Sequence, residues 1–401
     1  MKIKQGKRIP TKPGLAAWKI VIIAVLSALL FIAIAAVGAI YYIAKVYKPP
    51  VNTDIPDWGD VTSASPEETD DPDPLTPPKT DFTRKDQMYN FLVIGKDRVA
   101  LNTDVIMIVS YNVPTGEVNI LQIPRDTYIE YERNHYKINS LYANFYINAY
   151  YNGNTKTPDA EGMENFRKVI ESSLNIKLDY TFLVDLEAFS QVVDAIGGVE
   201  VDVAADMDYD DPDQDLYIHI KKGYQTLKGK DAEGFIRFRM GYVTADIGRI
   251  DAQKIFISSM IQKIKNNFNV NTIGKIAEIV INNVQTDMSL VDATYFATKA
   301  LSVDLGSVNL LTMPGQDGRY YGDSGAWFYI IRRADALGIV NRYFNVYNKE
   351  VTDEIFDANF AFAAEDNEHF TEIYFADPTD DWNVRSAEDV NENSIYIPRL
   401  R

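Results

Sequence analysis

Residues 20–44, IVIIAVLSALLFIAIAAVGAIYYIA, run without a charge between Lys19 and Lys45. A helix rises 1.5 Å per residue, so roughly 20 apolar residues cross a bilayer core. This run clears that length, and a single transmembrane helix over 20–44 is expected. Lys2, Lys4, Lys7, Arg8, Lys12 and Lys19 precede it with no acidic residue among them. An excess of Lys and Arg keeps a flank cytoplasmic. Residues 1–19 are therefore expected inside and everything beyond Tyr47 outside. Trp18, Tyr41, Tyr42 and Tyr47 stand where an interfacial aromatic belt lies. A cleaved signal peptide would account for the small residues of AIAAVGA, but its apolar core is only about 7–15 residues long.

Residues 45–88 hold many prolines and acids, as in PDWGDVTSASPEETDDPDPLTPPK, and few large apolar groups. Such a segment cannot bury enough surface to fold and stays extended. It is expected to be a tether. The pattern changes at residue 89. YNFLVIG (89–95), DVIMIVSY (104–111) and VNILQIP (118–124) are short runs rich in β-branched and aromatic residues. Pro114-Thr115-Gly116 between the last two reads as a hairpin loop. Helical spacing is expected over 160–174, 186–198, 249–267, 271–283, 290–301 and 326–344, and strands over 180–186, 199–203 and 307–313. Strands and helices interleave, which predicts an α/β domain over 89–345. It would have a mixed central sheet with helices on both faces. The acidic residues 346–401 read either as a tail or as an appended subdomain.

Composition narrows the chemistry. The chain has no cysteine and three scattered histidines, His135, His219 and His369. Any metal would then be held by oxygen, which favours Mg²⁺ or Mn²⁺. The net charge of −17 argues against a nucleic-acid partner, which needs basic surface.

Four clusters carry chemistry-bearing residues. Asp97 closes one expected strand and Asp104 opens the next, so neighbouring strands would bring two carboxylates to one cation; acids at strand ends are also ordinary turn residues. Arg125 and Asp126 follow a strand in LQIPRDTYI, at the kind of sheet edge where α/β proteins bind ligands; a surface ion pair is the plainer alternative. HYKINSLYANFYINAYY (135–151) suits either an amphiphile groove or an aromatic core helix. FIRFRMGYVTADIGRIDAQ (235–253) gathers Arg237, Arg239 and Arg249 around Asp246 in an acidic chain. FIRFR can be extended, or it can end a helix that Arg239 leaves. Arg249 and Gln253 lie one turn apart, and guanidinium forks with a helix N-terminus suit a pyrophosphate-sized anion. A salt-bridged surface is the alternative.

In order along the chain, GKD, TDVIMIVSYNVPTG, IPRDT, KINSLYA, VDAIGGVEV, GYQTLKG, RFR and DIGR with Gln253 resemble the LytR-CpsA-Psr family of membrane-anchored cell-wall proteins. The resemblance runs from about residue 89 to 267, with weaker echoes in VQTDMS (284–289) and LLTMPG (310–315). It implies transfer of a glycopolymer, such as teichoic acid or capsule, from an undecaprenyl-pyrophosphate carrier to a peptidoglycan hydroxyl, assisted by Mg²⁺ in a Gram-positive-type envelope. By position it implies that Asp97 and Asp104 hold the metal. It further implies that Arg125, Arg237, Arg239, Arg249 and Gln253 hold the pyrophosphate, and that Asp246 orients the arginines or takes the acceptor's proton. The family's Arg-Ser-Asp is here Asn102-Thr103-Asp104, with Arg98 near enough to substitute, and its Arg-Gln-Gln is Ala252-Gln253-Lys254. Phe145-Tyr146 stand where glycines often follow the KIN motif. A lipid groove is expected among Tyr142, Phe145, Phe166, Phe189, Phe256 and Met260. A lipid pyrophosphatase and a non-catalytic wall-binding protein are the other readings.

Overall fold

The computed structural model describes residues 42–43, 45–51, 83–96, 101–132, 134–152, 157–239, 242, 246–266, 276, 279–280, 282–320, 325–353, 356, 370–371 and 385–392. The run expected to span a membrane lies outside them except for Tyr42 and Ile43, as do Asp97, Arg98 and most of the helix expected over 271–283. Among the described residues no helix is long and apolar enough to cross a membrane. The chain divides into a small unit, Met1–Pro49 with Ser289–Lys299, and a large one, Pro50–Met288 with Ala300–Arg401.

The large unit opens with β1 (Met88–Lys96), β2 (Thr103–Asn112) and β3 (Glu117–Gln122). β2 and β3 form the expected hairpin, and Gly116 in its turn takes φ +75°. A small hairpin follows, β4 (Tyr128–Tyr131) and β5 (Asn134–Lys137). Helices α1 (Ile138–Asn152) and α2 (Pro158–Leu174) come next. α1 buries Ile138, Leu141, Tyr142, Phe145 and Ala149, a stripe with helical period, so the helical part of HYKINSLYANFYINAYY packs one face into the core, while Tyr150 and Tyr151 are exposed and His135–Lys137 belong to β5. β6 (Tyr180–Asp185) leads into α3 (Leu186–Ala195), whose N-cap Asp185 accepts a hydrogen bond from the Ala188 amide at 2.7 Å. Gly197 and Gly198 stop α3 at φ +87° each, and a Cβ on Gly198 would meet Thr226 at 2.6 Å.

The chain then builds β7 (Val199–Val203), β8 (Met207–Asp211), β9 (Leu216–Ile220) and β10 (Gly223–Leu227), paired as β7 with β10 and β8 with β9. α4 (Gly229–Arg237) and the long α5 (Asp246–Asn266) follow, then β11 (Val284–Thr286). Most of α6 (Leu290–Ala300) belongs to the small unit. There Asp292 accepts hydrogen bonds from Tyr47 Oη at 2.6 Å and from Ser289 Oγ at 2.6 Å. The Asp292 bond is the main force pushing the Tyr47 phenol up to about 12. The large unit ends with β12 (Val308–Thr312), β13 (Gly315–Tyr320), β14 (Trp327–Ile331), α7 (Arg333–Ile339), β15 (Phe370–Thr371), β16 (Arg385–Ser386) and α8 (Ala387–Glu392).

Seven strands form the central sheet in the order β11-β6-β1-β2-β3-β12-β16. β1 is parallel to β6 and β3 to β12, while the other pairs are antiparallel. The sheet is thus mixed, as expected. Alternate side chains point to opposite faces. Leu92, Ile94, Ile106, Ile108, Leu121 and Leu311 face a core built with α1, α2 and α7. Val118, Ile120, Val308 and Leu310 pack against Ile257 and Ile261 of α5 and Val390 of α8 on the other side. Helices therefore cover both faces.

Two expectations change. The helix expected over 326–344 begins as strand β14, because WFYII is an aromatic, β-branched run that pairs with β13. Only Arg333–Ile339 is α-helical, followed by a wider π turn over Val340–Phe344. The core also reaches beyond residue 345: Val346, Tyr347, Val351 and Phe356 are buried in it, and β16 adds an edge strand to the sheet.

Candidate functional site

β1, β3, β6 and β12 run in one direction, so their C-terminal ends and the start of β2 share one sheet edge. Open α/β sheets bind ligands at such an edge. Asp104 opens β2 there, and its Oδ1 accepts a bond from Arg125 Nη1 at 2.6 Å. Arg125 stands just past β3 because Pro124 cannot donate to the ladder and ends it. The next residue, Asp126, lies 3.0 Å from Lys137 Nζ and 3.8 Å from Arg239 Nη2. Backbone pairing fixes this loop: the Tyr329 amide of β14 donates to Asp126 O at 2.9 Å, and Thr127 bridges Tyr329.

The arginine-rich stretch resolves as a helix end. α4 includes Arg237 and stops at Phe238, whose ψ of 129° is extended. Arg239 thereby leaves the helix and reaches Asp126, while Arg237 stays on it and pairs with Glu233 one turn back at 3.1 Å. α5 begins at Asp246, whose side chain lies outside the described residues. Arg249 on its first turn is only 3 % exposed. Gln253, one turn on, accepts a hydrogen bond from Gln122 of β3 and donates to Ile236 O at 2.8 Å. That amide ties the sheet edge, the end of α4 and the start of α5 together.

The fold thus sets Asp104 against Arg125, and Arg239 against Asp126, the next residue along the chain. Gln253 ties the end of α4, which carries Arg237, and the start of α5, which carries Arg249, to the same edge. Lys137, which opens KINSLYA, Gln122 and Glu233 are neighbours to which the motifs gave no role. Gln122 left a trace, a polar residue set among apolar ones in ILQIP. Nothing in sequence pairs Lys137 with Asp126, since that contact depends on the β4/β5 hairpin.

Comparison with known proteins gives the chain a lineage. A model of the LytR_cpsA_psr family matches residues 59–344. The chain belongs to that family. A relative named polyisoprenyl-teichoic acid–peptidoglycan teichoic acid transferase TagV, from Bacillus subtilis, is 28 % identical over 251 residues, which are 61 % of this chain and 61 % of that protein's length. The similarly named TagU of Oceanobacillus iheyensis is 28 % identical over 254 residues, 62 % of this chain and 73 % of that one. Among solved structures, protein gbs0355 of Streptococcus agalactiae superposes with a TM-score of 0.53 at 20 % identity, covering 64 % of this chain and 86 % of that one. B. subtilis TagV superposes at 0.51 with 24 % identity, covering 64 % and 95 %. These two likenesses establish the fold.

The groove expected from six aromatic and Met residues does not form as one surface. Tyr142, Phe145 and Phe166 are buried in the core beneath α1 and α2. Phe256, with Phe189 and Met260 partly buried beside it, belongs to a separate cluster built by β7 to β10, α4 and α5. Helical spacing in these segments reports burial against two different partners. Ala252 is part of the second cluster and fully buried.

Proposed function

We propose that this protein transfers a phosphorylated glycopolymer from an undecaprenyl-pyrophosphate carrier to a hydroxyl of peptidoglycan. The transmembrane helix over 20–44 anchors it, and the tether, expected over 45–88 but already bound to the domain at Arg84 by its pair with Asp179, holds the domain outside the cell. The observation that carries the reading is the pairing of Arg125 with Asp104 and of Arg239 with Asp126 at one sheet edge, to which Gln253 ties the helix ends that carry Arg237 and Arg249. The names of the curated relatives supply the substrate class.

The acceptor hydroxyl oxygen forms a P–O bond to the polymer-bearing phosphorus. The bond from that phosphorus to the bridging oxygen breaks, and undecaprenyl phosphate leaves. Guanidinium forks bind phosphate oxygens bidentately, so the arginines hold the pyrophosphate and stabilise charge on the leaving phosphate, the main demand of phosphoryl transfer. Asp246 takes the hydroxyl proton or aligns the arginines.

A divalent cation fits the donor chemistry. Asp104 is a partly exposed carboxylate at the edge, and Mg²⁺ is commonly held by one or two carboxylates together with waters and substrate phosphates. A cage of three acidic or His ligands is not needed, and none occurs among the described residues. Asp104 and Asp97 would hold Mg²⁺ or Mn²⁺, which when bound neutralises phosphate charge. Arg98 is assigned to the pyrophosphate alongside the other arginines.

Arg237→Ala and Asp104→Ala are expected to slow polymer transfer from a lipid-linked donor by about 10²–10³-fold, as loss of a charge-stabilising group does. Wild-type rates in both variants would overturn the site. Running the reaction with and without peptidoglycan separates transfer from hydrolysis, because a pyrophosphatase releases polymer equally in both.

A further inference from the structure

The family match ends at residue 344, yet the chain's last described segment returns to the site. β16 pairs antiparallel with β12, setting Arg385 opposite Leu310 and Ser386 opposite Asn309. Residues paired across strands share a face. Leu310 points to the α5 side of the sheet, so Arg385 does too. Because β16 runs opposite to β12, Arg385 is its residue nearer the C-terminal end of β12. That end is Thr312, in register with Gln122, which bonds Gln253.

Lys254 follows Gln253 on α5 and is only 5 % exposed, with Asp251 Oδ1 4.0 Å from its ammonium. Ser258, one turn further, donates a hydrogen bond to Ala387 O and clamps α5 to the segment that carries Arg385. Burial pushes the Lys254 ammonium below its ordinary value; Asp251 opposes the shift and the nearby Arg385 charge adds to it. Thr312 Oγ1 is buried and makes no hydrogen bond, a condition that calls for a ligand or water. Two cations and an unmet hydroxyl thus gather beside Gln253.

We propose that Arg385, Lys254 and Thr312 form a phosphate subsite, built in part by the C-terminal segment, that binds a phosphate group of the donor next to Gln122 and Gln253. The proposal rests on the transferase reading and adds to the site a residue outside the family match, Arg385. A phosphate there would offset the charge of the two cations and accept a hydrogen bond from the Thr312 hydroxyl. It could belong to the carrier pyrophosphate or to a phosphodiester of the polymer.

The test is calorimetric titration of the full chain in detergent with two probes, farnesyl pyrophosphate and a glycerol-phosphate oligomer. Variants are Arg385→Gln, Thr312→Val and Arg237→Ala. Arg385→Gln and Thr312→Val are expected to weaken one probe about tenfold, the loss typical of a charge-assisted phosphate contact, and the probe affected identifies the source. Thr312→Val should keep or raise the melting temperature, because it removes an unsatisfied hydroxyl; a merely structural role would leave its affinity unchanged. Wild-type affinity of Arg385→Gln and Thr312→Val for both probes, with Arg237→Ala impaired, overturns the subsite alone. If Arg237→Ala is also unimpaired, or wild type binds neither probe, both the subsite and the transferase reading fall.

Discussion

Ala252 shows how one position decides what an arginine can do. In Ala252-Gln253-Lys254 the alanine stands where the resemblance led us to expect a cation. The helix turns that position into the cluster holding Phe238, Tyr242 and Phe256, where it is fully buried. Gln253, the next residue, points instead to Gln122 and Ile236. Ala252→Arg would therefore force a guanidinium into an apolar cluster without adding a ligand to the site. Overpacking and burial of a charge together should cost about 3 kcal/mol or more. Urea denaturation would show a lowered midpoint; unchanged stability would mean that α5 does not bury this face.

At the scale of elements, the end of β1 is fastened to two helices by one carboxylate. Asp159 of α2 lies 2.9 Å from Lys96 Nζ at the end of β1 and accepts a bond from Tyr142 Oη of α1 at 2.6 Å. Burial raises the Asp159 carboxyl, but the Tyr142 and Lys96 interactions outweigh it and hold the group below its ordinary value. A depressed carboxyl adds stability that is whole above the unfolded value of about 3.9 and fades as pH falls through the folded one. Asp159→Asn should cost about 1–2 kcal/mol at neutral pH, and its deficit should shrink below about pH 4. Thermal melts from pH 3 to 7 test this: a deficit constant across the range would remove the carboxylate's role. This junction was hidden in sequence, because nothing local links residues 96, 142 and 159. The strands β1, β2, β3, β6 and β12 were legible from short β-branched runs, and α2 and α5 from their period. β14 was not, because WFYII runs directly into a helical pattern and only pairing with β13 separates them. The site was half legible. Its arginines stood out against the acidic background, with Asp126 beside one of them, whereas Lys137 and Gln122 acquire their roles only from the folded edge.

For the molecule as a whole, the sequence left residues 346–401 undecided, and the fold makes part of them structural. β16 closes one side of the central sheet, and α8 covers apolar surface shared by that sheet and α5. Ala387 is fully buried and Val390 packs with Val308, Leu310, Ile257 and Ile261. Removing residues 385–401 would expose this surface and leave the edge of β12 unpaired, an invitation to association. Burial of one or two apolar side chains is worth about 1.5–3 kcal/mol each, so the truncated protein should lose about 2–4 kcal/mol while keeping the same far-ultraviolet circular dichroism. It should also self-associate more readily in sedimentation than the full chain. Equal stability and an unchanged monomer fraction would show that the segment does not cover the sheet. A loss of stability confined to the truncation, with Arg385→Gln as stable as wild type, would separate the segment's structural contribution from the charge it presents to the site.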